Sequence, residues 1–236
     1  MAKGASAGAE MLLQAQALRE HLHGRRLQIL QAELLRMAIE QQLTVALPNL
    51  HLHFGPYPLF RQGRDQHTEL HRLFYAAHRH LVPLYASLCE EVVSDVIDEP
   101  CYVQQIPTYR FGLPGNRWVG SFHHDSDFGH PPFELNAVLA LTPMQGSAAL
   151  HVEDAAGSYR YSPLTLDAGE LVLFNHIDRR HGCCRNREGV SVSSIDFRFV
   201  PVRFADAAFQ GEQRSLNTRV AMVPGGYFSA EPMGSR

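Results

Sequence analysis

Beyond Glu99-Pro100 the chain breaks into short β-like apolar runs at residues 102–111, 118–122, 135–141, 148–152, 170–174 and 190–200, separated by Gly, Pro, Asn and Asp. Many short strands with turn residues between them pack as a sandwich or jelly roll, which buries one face of each run. Residues from about 9 to 100 have a different texture. There Leu27, Leu30, Leu34, Met37 and Ala38 recur at helix-like intervals, and Leu70, Phe74, Leu81 and Leu84 supply a second apolar face. Pro48 and the Gly55-Pro56-Tyr57-Pro58 cluster interrupt the helical pattern before it resumes around residues 71–93. The expectation is one α+β unit spanning 1–236. It has a helix-rich buttress at about 9–100, a β-sandwich core at about 101–201 and a peripheral tail at 202–236.

Composition narrows the partners. At 236 residues the chain is long enough for one domain with a sizeable core. Its 21 Lys+Arg against 24 Asp+Glu give a formal net charge of -3, so there is no basic stripe to displace phosphate counterions. Neither nucleic acid nor an anionic membrane is expected as a partner; a small molecule is. Cys89, Cys101, Cys183 and Cys184 form no CxxC pair, and the N-terminal segment lacks the apolar run of a signal peptide or membrane span. A reduced, cytoplasmic setting is the expectation. The N-terminal helices are expected to cover one sheet and are candidates for homodimerisation.

Chemistry concentrates in Gly120-Ser-Phe-His-His-Asp-Ser-Asp-Phe-Gly-His130. His123 and Asp125 form an H-x-D at the end of an expected strand, where residues i and i+2 share a face and can converge on one ion. His181, followed by Gly182, comes just beyond another strand. Two His and one carboxylate on one face of a metal, with open positions opposite, are the ligand set of non-haem Fe(II) oxygenases. A second H-x-D, His176-Ile-Asp178, lies on the loop of His181 and reads as a polar turn. His51-x-His53 and His151-x-Glu153 share the spacing without the context. His124 is expected to point away from His123, and His130 to play a supporting role.

The ordering Pro107-Thr-Tyr-Arg110, His123-His-Asp125 with Gly129-His130, Glu134-Leu-Asn136, Leu141-Thr142, Leu173-Phe174, His181-Gly182, Asn186 and Ser194-Ile-Asp-Phe-Arg198 resembles the iron(II)- and 2-oxoglutarate-dependent oxygenases. The similarity is to the branch of streptomycin-biosynthesis hydroxylases and, more loosely, to the phytanoyl-CoA hydroxylase type. It covers about residues 100–201. It implies a double-stranded β-helix (jelly-roll, cupin-like) core and His123, Asp125 and His181 as iron ligands. It also implies Fe(II), 2-oxoglutarate and O2 as the reacting set, with an unactivated C–H bond oxidised. Hydroxylation, desaturation, ring closure and epimerisation all fit that chemistry, and the retained Asp125 argues against a halogenase.

In the resembled branch the last strand reads Arg-x-Ser-x-Asp-x-Arg, and its first Arg clamps the distal carboxylate of 2-oxoglutarate. The aligned residue here is Val192. A buried carboxylate still needs a cation, and an Arg fork is its natural partner. Arg198 is the first candidate and Arg110 the second, although six residues of strand, roughly 20 Å, separate positions 192 and 198. Ser194 is expected to donate to the same carboxylate, and Asn136 to bind the proximal carboxylate or an iron-bound water, with Glu134 beside it.

The resemblance points to an amino sugar, aminocyclitol or other natural-product intermediate as substrate, with an amino acid or carrier-bound peptide as the alternative. Asp127, Glu134, Glu153 and Asp154 are the acids available to meet cationic amines. Tyr109, Trp118, Phe122 and Phe128 are candidates for the pocket wall. Two other classes compete: a cupin-type metal enzyme without 2-oxoglutarate, and a non-catalytic jelly-roll binding module.

Overall fold

The computed structural model describes residues 2–55, 68–211, 213–216 and 218–234. Pro56, Tyr57 and Pro58, expected to break the helical pattern, lie outside the described residues. Helices α1 (Ala2–Leu22), α2 (Ala32–Leu43), α3 (Leu50–His53) and α4 (Glu69–Val92) occupy the front of the chain, with strand β1 (Arg26–Gln28) between α1 and α2. Then follow β2 (Cys101–Val103), β3 (Thr108–Gly112), β4 (Leu135–Ala140), β5 (Leu150–Glu153), β6 (Tyr161–Pro163), β7 (Glu170–Phe174), β8 (His181–Cys183), β9 (Val192–Pro201) and the short helix α5 (Ala205–Ala208).

The strands form two antiparallel sheets. The larger runs β1-β7-β4-β9-β2, with β3 also paired to β9, and the smaller runs β6-β5-β8. β9 is the spine: it pairs with β4 along one edge and with β2 and β3 along the other, and all ten of its residues are buried. Period-two alternation sorts its side chains. Ile195, Phe197 and Phe199 join Leu139 and Leu173 in a core shared with α2 and α4, where Tyr85 meets Phe197 edge to face at 5.5 Å. From the opposite face of the sheet, Val138, Val172 and Val192 pack with Leu150, Val152 and Cys183 of the smaller sheet. The result is helices on one side of a β-sandwich, the expected α+β arrangement. Each fully buried Phe or Leu on the helix side contributes roughly 1.5–3 kcal/mol of transfer free energy.

α4 shows why the front end is helical. Leu70, Phe74, Leu81, Tyr85, Leu88 and Val92 fall on one buried stripe. Thr68 caps the helix by accepting from the His71 N–H, and a π-turn at Val93–Ile97 closes it. α2 corrects the sequence reading. Its buried face is Ala32, Leu35, Ile39 and Leu43, whereas Leu30, Leu34 and Met37 are exposed at 80%, 52% and 54%. Leu27 belongs to β1, opposite Leu171, so the apparent periodicity joined a strand to the wrong face of a helix.

Two other expectations change. Residues 118–122 form no ladder strand, while β1, β6 and β8, each three residues long, are too short for periodicity to reveal. The tail is not peripheral: Phe204, Met222 and Phe228 are buried with Ala15 of α1 and Val200 of β9 in a third apolar cluster. No helix among the described residues is long and apolar enough to cross a membrane, and the four cysteines are free thiols.

Candidate metal centre

His123 and His181 meet through their backbones. The His123 N–H donates to the His181 carbonyl at 3.1 Å and the His181 N–H returns the bond at 2.9 Å, an isolated antiparallel bridge where β8 begins. Directly opposite residues in such a pair project side chains to the same face, and the two imidazole centroids lie 4.6 Å apart. Gly182 permits the approach, since a Cβ there would stand 3.1 Å from the Gly120 carbonyl oxygen and from Phe122 backbone atoms.

Asp125 arrives by another route. It opens a 3-10 turn, Asp125–Phe128, which ends at Gly129 in the left-handed region at φ 83. The Asp127 side chain accepts from the His124 N–H at 3.1 Å, and the Asp125 N–H donates to the His176 carbonyl at 3.0 Å. The turn therefore hangs from the loop that carries His181. The strand expected to align His123 with Asp125 is absent; loop-to-loop bonding aligns them instead.

Asp125 Oδ1 stands 3.1 Å from His181 Nε2 and 3.5 Å from His123 Nε2. Adjacent ligands of an octahedral ion with bonds of about 2.1 Å lie about 3 Å apart, so the set fits a single metal ion. Ligand atoms of His123, Asp125 and His181 all fall within 4.8 Å of one another, the only such group of three or more His, Cys, Asp or Glu among the described residues. His123 Nδ1 is 2.9 Å from the Ser121 carbonyl, which accepts its proton and leaves Nε2 for a metal. Burial lowers the pKa of His181, which keeps its ring in the neutral, ligating form.

Behind the triad lies a buried ionic cluster. Arg198 donates from Nη2 to Asp125 Oδ2 at 2.6 Å and from Nη1 to Gln104 Oε1 at 3.3 Å and the Tyr227 hydroxyl at 3.4 Å. Asp196 Oδ2 lies 3.4 Å from Arg198 Nη1, and Glu134 Oε2 lies 3.5 Å from its Nε. Burial pushes the Asp125 carboxyl up, but Arg198, His181 and the His123 hydrogen bond outweigh it and hold the group well below the usual carboxylate range. Glu134 is likewise pushed up by burial yet held at about 2 by His130, His176 and Arg198. His130 Nδ1 is 2.8 Å and His176 Nε2 3.7 Å from Glu134 Oε2.

The remaining candidates separate clearly. Arg110, Asn136, Ser194 and Arg198 line one small cavity of about 30 Å3 that also touches His123, Asp125 and His181. Within it Asn136 Oδ1 and Ser194 Oγ are buried without hydrogen-bond partners. Arg110 pairs with Asp196 at 2.7 Å and lies directly across the β3–β9 ladder from Ser194. His176-x-Asp178 is structural: Asp178 receives Arg19 at 2.8 Å, and Arg19 also donates to the Pro132 carbonyl. His51 pairs with the Ser191 hydroxyl, and His151 with the Ala149 carbonyl.

A cavity of about 730 Å3 opens beside the triad, reached by His123, Asp125 and Phe128 and walled in part by Leu216, Val220 and Tyr227 of the tail. Trp118 lines the small cavity, whereas Tyr109 is buried among the helices and Phe122 packs on Tyr161. None of Asp127, Glu134, Glu153 and Asp154 lines the large cavity, which corrects their expected role toward amines. Glu153, for example, is spent on the Tyr159 and Arg180 N–H groups. Gln104, Tyr227 and Arg72 at the cavity were not singled out from sequence, because no local spacing ties them to the metal motif.

No protein-family model matches the sequence. The chain is 35% identical over 137 residues to the streptomycin biosynthesis protein StrG of Streptomyces griseus, a match covering 58% of this chain and 65% of that protein. Its fold is that of a non-heme monooxygenase, ThoJ in the apo form, with a TM-score of 0.52 at 15% identity over 89% of this chain and 86% of that one. The likeness to streptomycin-biosynthesis proteins read from the motif residues is thus borne out in sequence, and the structure shares its fold with ThoJ.

Proposed function

We propose that this chain is an Fe(II)- and 2-oxoglutarate-dependent oxygenase built on a double-stranded β-helix. Its substrate would be a small polar natural-product intermediate of the amino sugar or aminocyclitol kind, oxidised at an unactivated C–H bond in the cytoplasm. The carrying observation is the convergence of His123, Asp125 and His181 on one point at the edge of a large cavity. The sequence match to StrG and the fold shared with ThoJ support the same reading.

In this reading His123, Asp125 and His181 hold the iron. Bound iron would supply, with 2-oxoglutarate and O2, the oxidising chemistry for the C–H bond, 2-oxoglutarate being consumed to succinate and CO2. Ser194 Oγ faces the small cavity beside the triad without a partner and can donate to a bound carboxylate, whereas the unpartnered Asn136 Oδ1 accepts and suits a metal-bound water. From sequence, Arg198 is the first candidate for the distal carboxylate. Its guanidinium sits on Asp125, so its task is to orient that ligand. Arg110, opposite Ser194 and lining both cavities, takes the clamp that Val192 cannot provide. Val138, Leu150 and Phe174 give that end of the site an apolar wall.

The test is an anaerobic titration of Fe(II)-loaded protein with 2-oxoglutarate, following the visible metal-to-ligand charge-transfer band. The band is expected in wild type, with its 2-oxoglutarate midpoint raised in Arg110→Ala. Absence of the band with iron bound and the fold intact would overturn the assignment, and an unshifted midpoint would return the clamp to Arg198.

A further inference from the structure

Among the described residues, the charged side chains lining the large cavity are arginines apart from Asp125. Besides the candidate ligands His123 and Asp125, its titratable side chains are Arg72, Arg110, His130 and Arg198, with Tyr75 and Tyr227. Among the described residues of the lining Asp125 is the only carboxylate, and it is already committed to Arg198 and the metal set. Arg110 and Arg198 are each matched by acids, Asp196 for the former and Asp125 for the latter. Arg72 differs: no carboxylate partner accompanies it among the described residues, and it stands on α4 one turn from Tyr75, which lines the same cavity. Thr108, Ser121, Ser215 and Thr218 add hydroxyls to the wall, and Ile106 and Leu216 add apolar surface.

Building on the oxygenase reading, we propose that the substrate is a hydroxyl-rich small molecule carrying an anionic group, a phosphate or a carboxylate, which Arg72 receives. An ammonium group entering this cavity would find cations and a carboxylate that is already paired, and would lose its hydration without a counter-charge. An anion finds the reverse. The Arg72 guanidinium offers a planar fork suited to either phosphate or carboxylate. Its place in the wall of the cavity, apart from the triad, lets it hold one end of a substrate while another part reaches the metal. An amino sugar remains compatible, provided that it also carries the anion and keeps its amine outside the Arg-lined wall.

Protein loaded anaerobically with Fe(II) and saturating 2-oxoglutarate, so that the cosubstrate site is filled, is titrated calorimetrically with four hexoses: glucose 6-phosphate, glucuronate, glucose and glucosamine. At least one anionic hexose should bind about tenfold or more tighter than glucose, the scale of one charge-assisted pair, with glucosamine weakest. Which of the two anions wins identifies phosphate or carboxylate as the group. Arg72→Ala should erase the preference while keeping the charge-transfer band, and Arg72→Lys should restore part of it. The inference is overturned if glucosamine binds tightest, if neither anion exceeds glucose, or if Arg72→Ala leaves the preference intact. These failures are separable from failure of the oxygenase reading, which is scored by the charge-transfer band alone. Without that band, the same four titrations on Zn(II)-loaded protein decide the anion question by the same criteria.

Discussion

Arg198 reaches across from the central strand to place Nη2 2.6 Å from Asp125 Oδ2, leaving Oδ1 turned toward His181 and His123. One oxygen is fixed by the guanidinium and the other faces the candidate metal position between the two imidazoles. The ligand is thereby oriented before any ion arrives.

Removing that guanidinium frees the carboxylate to rotate and strands it in a buried site. Arg198→Ala is expected to weaken Fe(II) or Co(II) binding about 10–100-fold, the usual effect of losing an outer partner of a metal ligand. Breaking a buried pair of this kind also costs about 3–5 kcal/mol of stability. Metal titration and urea denaturation of the same preparation check both, and unchanged metal affinity in a folded variant would refute the orienting role.

Gly182 sits where the His123 loop and β8 touch. Gly182→Ala introduces a methyl group against the Gly120 and Phe122 backbone and should cost about 1–3 kcal/mol through overpacking. Because the strain falls on the His123–His181 bridge, metal affinity should fall with it. A thermal melt compared with and without Co(II) reads both effects. A variant with wild-type melting and a wild-type metal-induced shift would show that the contact relaxes elsewhere.

Helix α1 holds the loop of His181 through ion pairs, Arg19 with Asp178 at 2.8 Å and Glu20 with Arg179 at 2.6 Å. Arg19 is almost fully buried, while Asp178 is 22% exposed and also accepts from Asn175, so Arg19→Ala should destabilise by about 1.5–3 kcal/mol, the scale for losing hydrogen bonds to a charged group. Glu20→Ala removes a partly exposed pair and should cost no more than about 1 kcal/mol. Hydrogen exchange should report faster opening of residues 175–181 in the Arg19 variant, and equal protection in both proteins would contradict this anchoring.

Glu134 ties acid stability to the ionic cluster. Its folded-state pKa of about 2 lies below the ordinary glutamate value of 4.5, so the charged form favours the folded state. That stability is present above pH 4.5 and is lost as the pH falls toward about 2. Glu134→Gln should therefore lower the urea midpoint at pH 7, and the gap from wild type should narrow from about pH 4.5 downward. Midpoints collected across that range decide the matter; a gap independent of pH would exclude Glu134 as the source.

Much of this was written in the chain's local pattern. Short β runs punctuated by turn residues give the sandwich, and the 3.6-residue stripe of Leu70, Phe74 and Leu81 gives α4. His123, Asp125 and His181 stand out by residue type and order. Other features escaped because their cause is non-local. Leu30, Leu34 and Met37 carry a helical period yet face solvent, since the pairing of β1 with β7 sets how α2 lies on the sheet. Similarly, nothing near Tyr227 announces that it folds back onto Arg198.

By itself the sequence determined which residues could ligate a metal and on what kind of scaffold, because residue chemistry and hydrophobic period are local properties. Only the tertiary structure decided how those ligands converge and which arginine serves which carboxylate. His123 and Asp125 are brought into register by hydrogen bonds to the loop of His181 rather than by strand alternation. Arg198 was committed to Asp125, leaving Arg110 beside Ser194 and Arg72 in the cavity wall. Distances of a few ångströms between residues far apart in the chain settle ionic partnerships, and linear spacing does not encode them.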